Sequence, residues 1–216
     1  MDEEQNTLFD GDDPAQAILK AENRFYEEVT VTEVVGTCPY GHKPGDVFRV
    51  TSMNSDGICG ALLKAIFVQI TALHYGGSII WEKDAHSLWG CCPEAGRVTV
   101  AIRRIERKET SLLKTPAQFR NMTGKGYPLL DRYRLFVEVC DIGVTCYWGH
   151  KIGDVFEVDP FNVNGCCCFL YTQLYPFMHI LLSGASPAWA ATSHAVMGEC
   201  PDTYDRLVYR LFLKDR

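Results

Sequence analysis

The sequence predicts an α+β fold: two tandem β-β-α-loop-β repeats packed against each other with pseudo-two-fold symmetry. Two observations predict it. Shifted by 108 residues, the chain matches itself without a gap, and 22 of the 57 positions from Thr37 to Pro93 are identical to their partners. The loop Thr37-Cys38-Pro39-Tyr40-Gly41-His42-Lys43 returns as Thr145-Cys146-Tyr147-Trp148-Gly149-His150-Lys151. Within each copy, short alternating apolar runs flank one long stretch of helical spacing. A unit of roughly 80 residues builds only a thin core alone, so the copies are expected to bury surface on each other.

Residues 1–24 read as an acidic tail (Asp2, Glu3, Glu4, Asp10, Asp12, Asp13) followed by a short helix reaching Asn23. Asp13 suits its N-cap and Pro14 its first position. Repeat one spans 25–106. Tyr26 to Val35 alternates as a strand, and the Gly- and Pro-rich loop Cys38–Asp46 leads into a second strand, Val47 to Thr51. The short loop makes the pair antiparallel. Asn54 to Gly57 is a turn. Leu62, Ile66, Ile70 and Leu73 then define a helix from Ile58 to Tyr75, stopped by Gly76-Gly77. An irregular stretch carries Trp81, His86 and Cys91-Cys92-Pro93, and Arg97 to Ile105 closes the unit as a strand. Residues 107–131 form a linker, with helical character expected around Pro116–Met122. Repeat two, 132–216, follows the same script: strands Tyr133–Asp141 and Val155–Asp159, a helix from Cys166 to Leu182, and a strand over Arg206–Lys214. Trp81 and Trp189, present in both copies, read as core anchors.

The formal charge is −6, with much of the excess in the first 13 residues. No long basic stripe is present; Arg103, Arg104, Arg107 and Lys108 read as a solvated strand end, so a nucleic-acid partner is not expected. The longest apolar run, Phe169–Leu182, is interrupted and too short to span a bilayer. The N-terminus lacks the apolar stretch of a signal peptide. A cytoplasmic chain is expected, and there ten cysteines point to metal, redox or catalytic use rather than to disulfides.

Three cysteines and a loop histidine recur at fixed spacing: Cys38, His42, Cys59 and Cys92, then Cys146, His150, Cys167 and Cys200. They fall in the first hairpin loop, at the start of the helix and before the last strand, three places that converge at one end of a small sheet. Three thiolates and an imidazole suit soft or borderline metals. Zinc usually takes close Cys-x-x-Cys pairs, which the chain lacks. Iron–sulfur clusters accept dispersed cysteines, and three Cys-Pro dipeptides fit them better. Without the histidines, each site would be three cysteines with an open position. Cys59 and Cys167, near a helix N-terminus, are expected to favour the thiolate. His86 and His194, six residues before the late cysteine, are candidate proton donors. Gly45-Asp46 and Gly153-Asp154 read as turns capped by the aspartate. Cys91, Cys140, Cys166 and Cys168 have no counterpart in the other copy and read as packing residues.

A further set of features recurs: Cys38-Pro39, Gly45-Asp46-Val47-Phe48, Gly57-Ile58-Cys59, Gly76-Gly77, Trp81 and Cys91-Cys92 in the first half; Cys146, Gly153-Asp154-Val155-Phe156, Gly165-Cys166-Cys167, Trp189 and Cys200 in the second. Each half thereby resembles a family of small single-domain proteins of anaerobic bacteria and archaea. The resemblance implies an anaerobic setting and a three-cysteine site, and no reaction. The chain departs from that pattern in lacking proline after Cys146, in Ala185 where a second glycine is expected, and in proline after the late cysteines.

The expectation is therefore a cysteine-ligated metal or iron–sulfur protein acting in redox or reductive chemistry on a small-molecule substrate or with a redox partner protein. Zinc is the alternative cofactor, in a non-catalytic binding module. A metal-free cysteine/histidine enzyme with its site between the repeats is the other alternative. No membrane partner is expected, and a homo-oligomer is compatible with the sequence.

Overall fold

Residue-by-residue alternation of buried and exposed side chains runs along Phe25–Val34, where Phe25, Glu27, Val29 and Val31 face inward. That period of two is what a strand with one covered face requires. The structure is a computed structural model, and it describes residues 20, 22–109 and 111–216. The acidic tail and most of the short helix expected through Asn23 lie outside the described residues.

The strand Phe25–Val34 (β1) is followed by β2 (Val47–Val50), α1 (Gly60–His74), β3 (Ser87–Cys91) and β4 (Val98–Glu106). A short helix, α2 (Pro128–Arg132), precedes β5 (Tyr133–Asp141), β6 (Val155–Val158), α3 (Cys168–Leu182), β7 (Ala195–Glu199) and β8 (Val208–Asp215). The strands form two antiparallel four-stranded sheets of matching order, β2-β1-β4-β3 and β6-β5-β8-β7. The chain is thus α+β. Each sheet carries a register shift at the corresponding place, between Val31 and Glu33 and between Val139 and Asp141.

Each half differs from the expected β-β-α-loop-β by one strand. The stretch read as irregular contains β3 and β7, which pair with β4 and β8. Two features hide these strands in the sequence. Each buries a single large residue, Leu88 or Val196, and each has a glycine at its fourth position. Both glycines are required by close approach. A Cβ on Gly90 would lie 2.6 Å from the Ile66 side chain on α1, and one on Gly198 would lie 2.5 Å from the Tyr209 hydroxyl. Trp81 and Trp189 are not core anchors: they are 77% and 71% exposed. In the first half it is Ile79, two residues earlier, that fills the core. The helical character expected around Pro116–Met122 is also absent, and that stretch has no regular secondary structure.

Helices α1 and α3 lay Leu62, Ile66, Ile70 and Leu73, and Leu170, Leu174, Met178 and Leu181, on their sheets. Full burial of such side chains stabilises by about 1.5–3 kcal/mol each. The helices also touch each other. The Gly60 amide donates to the Phe161 carbonyl at 2.8 Å, and the Cys168 amide donates to the Met53 carbonyl at 2.9 Å. Gly60 and Cys168, like Met53 and Phe161, are 108 positions apart, so the two bonds are reciprocal. Tyr171 lies so close to Gly60 that an added Cβ would fall 1.8 Å from its hydroxyl; glycine there lets the helices meet.

Residues 111–122 form a strap across both halves. Asn54 holds it from the first half: its Oδ1 accepts from the Thr115 amide at 2.9 Å and its Nδ2 donates to the Thr115 hydroxyl at 3.2 Å. The equivalent Asn162 holds it from the second: Oδ1 accepts from the Arg120 amide at 2.7 Å and Nδ2 donates to the Arg120 carbonyl at 2.9 Å. Asn162 is fully buried. Truncating it to alanine strands two strap backbone groups and is expected to cost about 2–4 kcal/mol, read as a lower urea midpoint at unchanged slope.

Candidate functional site

The first hairpin loop has the same geometry in both halves. The Gly41 amide donates to Cys38 O at 2.9 Å and the Gly149 amide to Cys146 O at 2.8 Å. Both glycines have φ near +90°, a conformation that disfavours other residues. Asp46 and Asp154 each accept from the amide three residues back, Lys43 or Lys151, at 2.8 Å. The expected capping role of these aspartates is therefore present. The loop delivers Cys38 and Cys146 to the end of the sheet where α1 and α3 begin, with Cys59 and Cys167 as their N-caps. The late cysteines arrive on the turn into the last strand: the Cys92 amide donates to Val98 O and the Cys200 amide to Leu207 O, both at 2.8 Å. The second turn is one residue longer.

In the second half these three elements enclose a cavity of about 10 Å³, bordered by Cys146, Cys167, Cys200, His150, Asp205 and Met53. That is room for one water-sized species. Cys167 and Cys200 lie side by side; their mutual interaction lowers Cys200 and, with burial, drives Cys167 well above the usual thiol range. Burial pushes Cys146 up to about 11, although the His150 and Trp148 amides face its sulfur; the Asp205 side chain bonds it as well. Asp205 is itself raised to about 6 by burial, and its Oδ1 is buried without a partner. The Leu170 amide reaches the Cys167 sulfur at 3.4 Å, and the Asp202 amide faces that of Cys200. In the first half Cys38, Cys59 and Cys92 likewise lie within electrostatic reach of one another. Burial holds Cys59 up at about 12, against the pull of the Leu62 and Ala61 amides and with a further push from Cys92 and Cys38. The thiolate preference expected from the helix N-terminus is thus outweighed by desolvation. All ten cysteines are free thiols. Cys91 and Cys140, which had been assigned to packing, are exposed, whereas Cys166 and Cys168 are buried.

Among the described residues, no group of three or more His, Cys, Asp or Glu side chains is arranged as it stands to hold a metal ion. The thiols gather without converging on a point. The loop histidines differ between the halves. His42 Nε2 accepts from the Cys59 amide at 3.1 Å, so its lone pair serves the start of α1. His150 borders the cysteine cavity with a buried Nε2 that has no partner. Burial lowers both to about 4, helped by Arg120 for His42 and by Lys114 for His150, so both are neutral near pH 7. His86 and His194 are exposed and precede β3 and β7, whereas Cys92 and Cys200 follow those strands. Six residues of extended chain separate each pair by about 20 Å, and the structure does not bring these histidines to the cysteines.

Asp205 is a site residue that the spacing argument missed. It sits in the longer second turn, beyond Pro201, where the ungapped match ends. In the first half the same turn sends Arg97 to the Thr37 carbonyl at 2.7 Å. A second group is peculiar to the first half. His74 at the end of α1 is buried between Glu27, 3.2 Å from Nδ1, and Glu22, 3.2 Å from Nε2. Ser52 and Tyr75 donate to Glu22 as well. Burial would lower His74, but the two carboxylates raise it to about 9. Burial would raise Glu22, but bonds from His74, Ser52 and Tyr75 hold it below the usual range; for Glu27 burial wins and its pKa rises. The equivalent positions in the second half are Leu130, Leu135 and Leu182, all buried.

Comparison of the chain with known protein families, with curated proteins and with solved structures gave no match. No helix among the described residues is long and apolar enough to cross a membrane.

Proposed function

We propose that each half binds a soft or borderline metal through its three retained cysteines, Cys38, Cys59 and Cys92 or Cys146, Cys167 and Cys200, and that the metal serves redox or reductive chemistry on a small molecule. One observation carries the reading: three thiols that survived the divergence of the copies lie together at one end of each half, on three separate elements. Backbone amides face the sulfurs, and such donors favour the charged form of a ligand. A coordinating cation deprotonates thiols that burial otherwise keeps neutral. The second-half cavity is the size of a single ion, and Asp205 offers a fourth donor there. That favours a single ion in this half over an iron–sulfur cluster: iron under the redox reading, or zinc in a non-catalytic binding module. The reciprocal bonds at Gly60 and Cys168, with the matched Asn54 and Asn162, support a pseudo-two-fold relation between two tandem repeats.

The test is metal quantification and visible absorption of the full chain purified without oxygen. One metal per half is expected. A natively folded protein that carries none and takes up none would remove the reading. A second reading has its own support in the proximity of Cys167 and Cys200, which interact directly. It makes this pair a metal-free dithiol, oxidised to a disulfide with loss of two electrons and two protons. It predicts that diamide, itself reduced to the hydrazine, links Cys167 to Cys200 selectively.

A further inference from the structure

The two cysteine groups are matched in backbone and opposite in the charge beside them. The Val35 amide donates to the Arg97 carbonyl at 2.8 Å and the Gly143 amide to the Asp205 carbonyl at 2.9 Å, so Arg97 and Asp205 hold the same point of the turn into the last strand. From that point Asp205 turns inward. It is 3% exposed, borders the second-half cavity and bonds the Cys146 sulfur, and its Oδ1 has no partner. Arg97 turns to the loop instead: its Nη1 donates to the Thr37 carbonyl at 2.7 Å, one peptide unit from Cys38.

The second half therefore has a fourth donor built in. Three thiols and a buried carboxylate are the complement of a closed four-coordinate site. The first half has a guanidinium, which binds no metal, at the matched position. His42 does not replace the missing donor, because its Nε2 accepts from the Cys59 amide at 3.1 Å. Nor does Tyr40, whose hydroxyl donates to the Gly57 carbonyl at 3.1 Å. Three protein ligands with one position left for an exogenous donor is the arrangement of metal sites that take a substrate.

Access and charge both favour an anion there. Cys38 is only partly buried, and so is the Arg97 side chain. Its carboxylate neighbour Glu94, 3.4 Å away, is exposed, and such a pair is held weakly in water. The guanidinium can therefore bond an incoming anion without first breaking a buried contact. In the second half the cavity is bordered by Asp202 and Asp205, which disfavour one. We propose that the first half is the reactive one: its metal keeps one position for a small anionic ligand, guided by Arg97, while Asp205 closes the second-half site. The inference rests on metal binding by the cysteines.

The probes are cobalt(II), which takes the same thiolate sites and reports its ligands by visible absorption, and azide. On the full chain loaded with cobalt in both halves, one azide per chain is expected to bind and to shift about half of the cobalt band intensity. Cys146→Ser, which keeps the first-half site, is expected to retain the response, and Cys38→Ser, which keeps the second-half site, to lose it. In the Cys146→Ser chain, Arg97→Ala is expected to weaken azide about tenfold and to leave imidazole, a neutral donor, unchanged. Arg97→Asp supplies the carboxylate of the other half and is expected to abolish both. Two azides per chain, none, a response confined to the second-half site, or an Arg97→Ala chain that binds azide as its parent does would overturn the proposal. The stoichiometry of the unmutated chain decides the matter even where a variant fails to fold. A chain that takes up no cobalt removes the metal reading as well, whereas cobalt uptake with any of these contrary azide results removes this inference alone.

Discussion

His74→Leu is expected to lower stability by about 3–5 kcal/mol, because it leaves the Glu22 and Glu27 carboxylates buried without their cation. The second half shows how that cost is avoided: it places Leu130, Leu135 and Leu182 where the first half has Glu22, Glu27 and His74. The triple variant Glu22→Leu, Glu27→Leu, His74→Leu is therefore expected to recover most or all of the loss, since a well-packed apolar trio often matches or exceeds a buried ionic one. The cluster also makes stability depend on pH. His74 titrates at about 9 in the folded protein, against about 6.5 when unfolded. The folded state favours its proton, so this contribution is full below pH ~6.5 and is lost as pH rises through ~9, a total of about 3 kcal/mol. Glu22, depressed on folding, acts in the opposite sense at low pH: its contribution is present above the ordinary carboxylate range and is lost on acidification. Urea unfolding of the parent and triple-leucine proteins between pH 6.5 and 9 isolates the effect, because titration of the thiols cancels in the difference. A parallel pH dependence in the two proteins would contradict it.

Removal of bound metal is expected to lower the melting temperature by about 8–16 °C. A species that binds only the folded chain stabilises it by about 4 kcal/mol at a free concentration 1,000 times its Kd, and each kcal/mol shifts Tm by about 2–4 °C in a domain of this size. The shift should grow as pH rises toward the range where the thiols ionise, since metal binding releases thiol protons and low pH opposes it. Cys146→Ser and Cys38→Ser are each expected to remove one of the two metals and part of the shift. The apolar cores of α1 with its sheet and α3 with its sheet do not depend on the cysteines, so the stripped chain should retain its secondary structure. Full unfolding by a chelator would mean that metal, not the core, holds the fold.

The match of the chain to itself at a shift of 108 residues made most of the architecture legible. Alternation marked β1 and β5, and the 3.6-residue spacing of Leu62, Ile66, Ile70 and Leu73 marked α1. It also placed the three cysteines of each half at one end of the sheet. What escaped did so for physical reasons. Strands β3 and β7 bury one large residue each, too little for a period-two signal. Retention of Trp81 and Trp189 was read as burial, but those side chains sit in a turn that faces outward. The helix N-terminus was expected to favour thiolates at Cys59 and Cys167, but desolvation is the larger effect there. Asp205 lies where the second turn gains a residue, so no shift-based comparison could align it. The ionic cluster of Glu22, Glu27 and His74 shows only in tertiary structure, because its members come from three separate elements.

X-ray absorption at the edge of the bound metal, on the full chain prepared without oxygen, reads the claim that matters most: that the recurring thiols act together as a ligand set. A first shell dominated by sulfur, with three sulfurs per metal, is the predicted result. A shell of nitrogen and oxygen alone, or a correctly folded chain with no metal to measure, would contradict it.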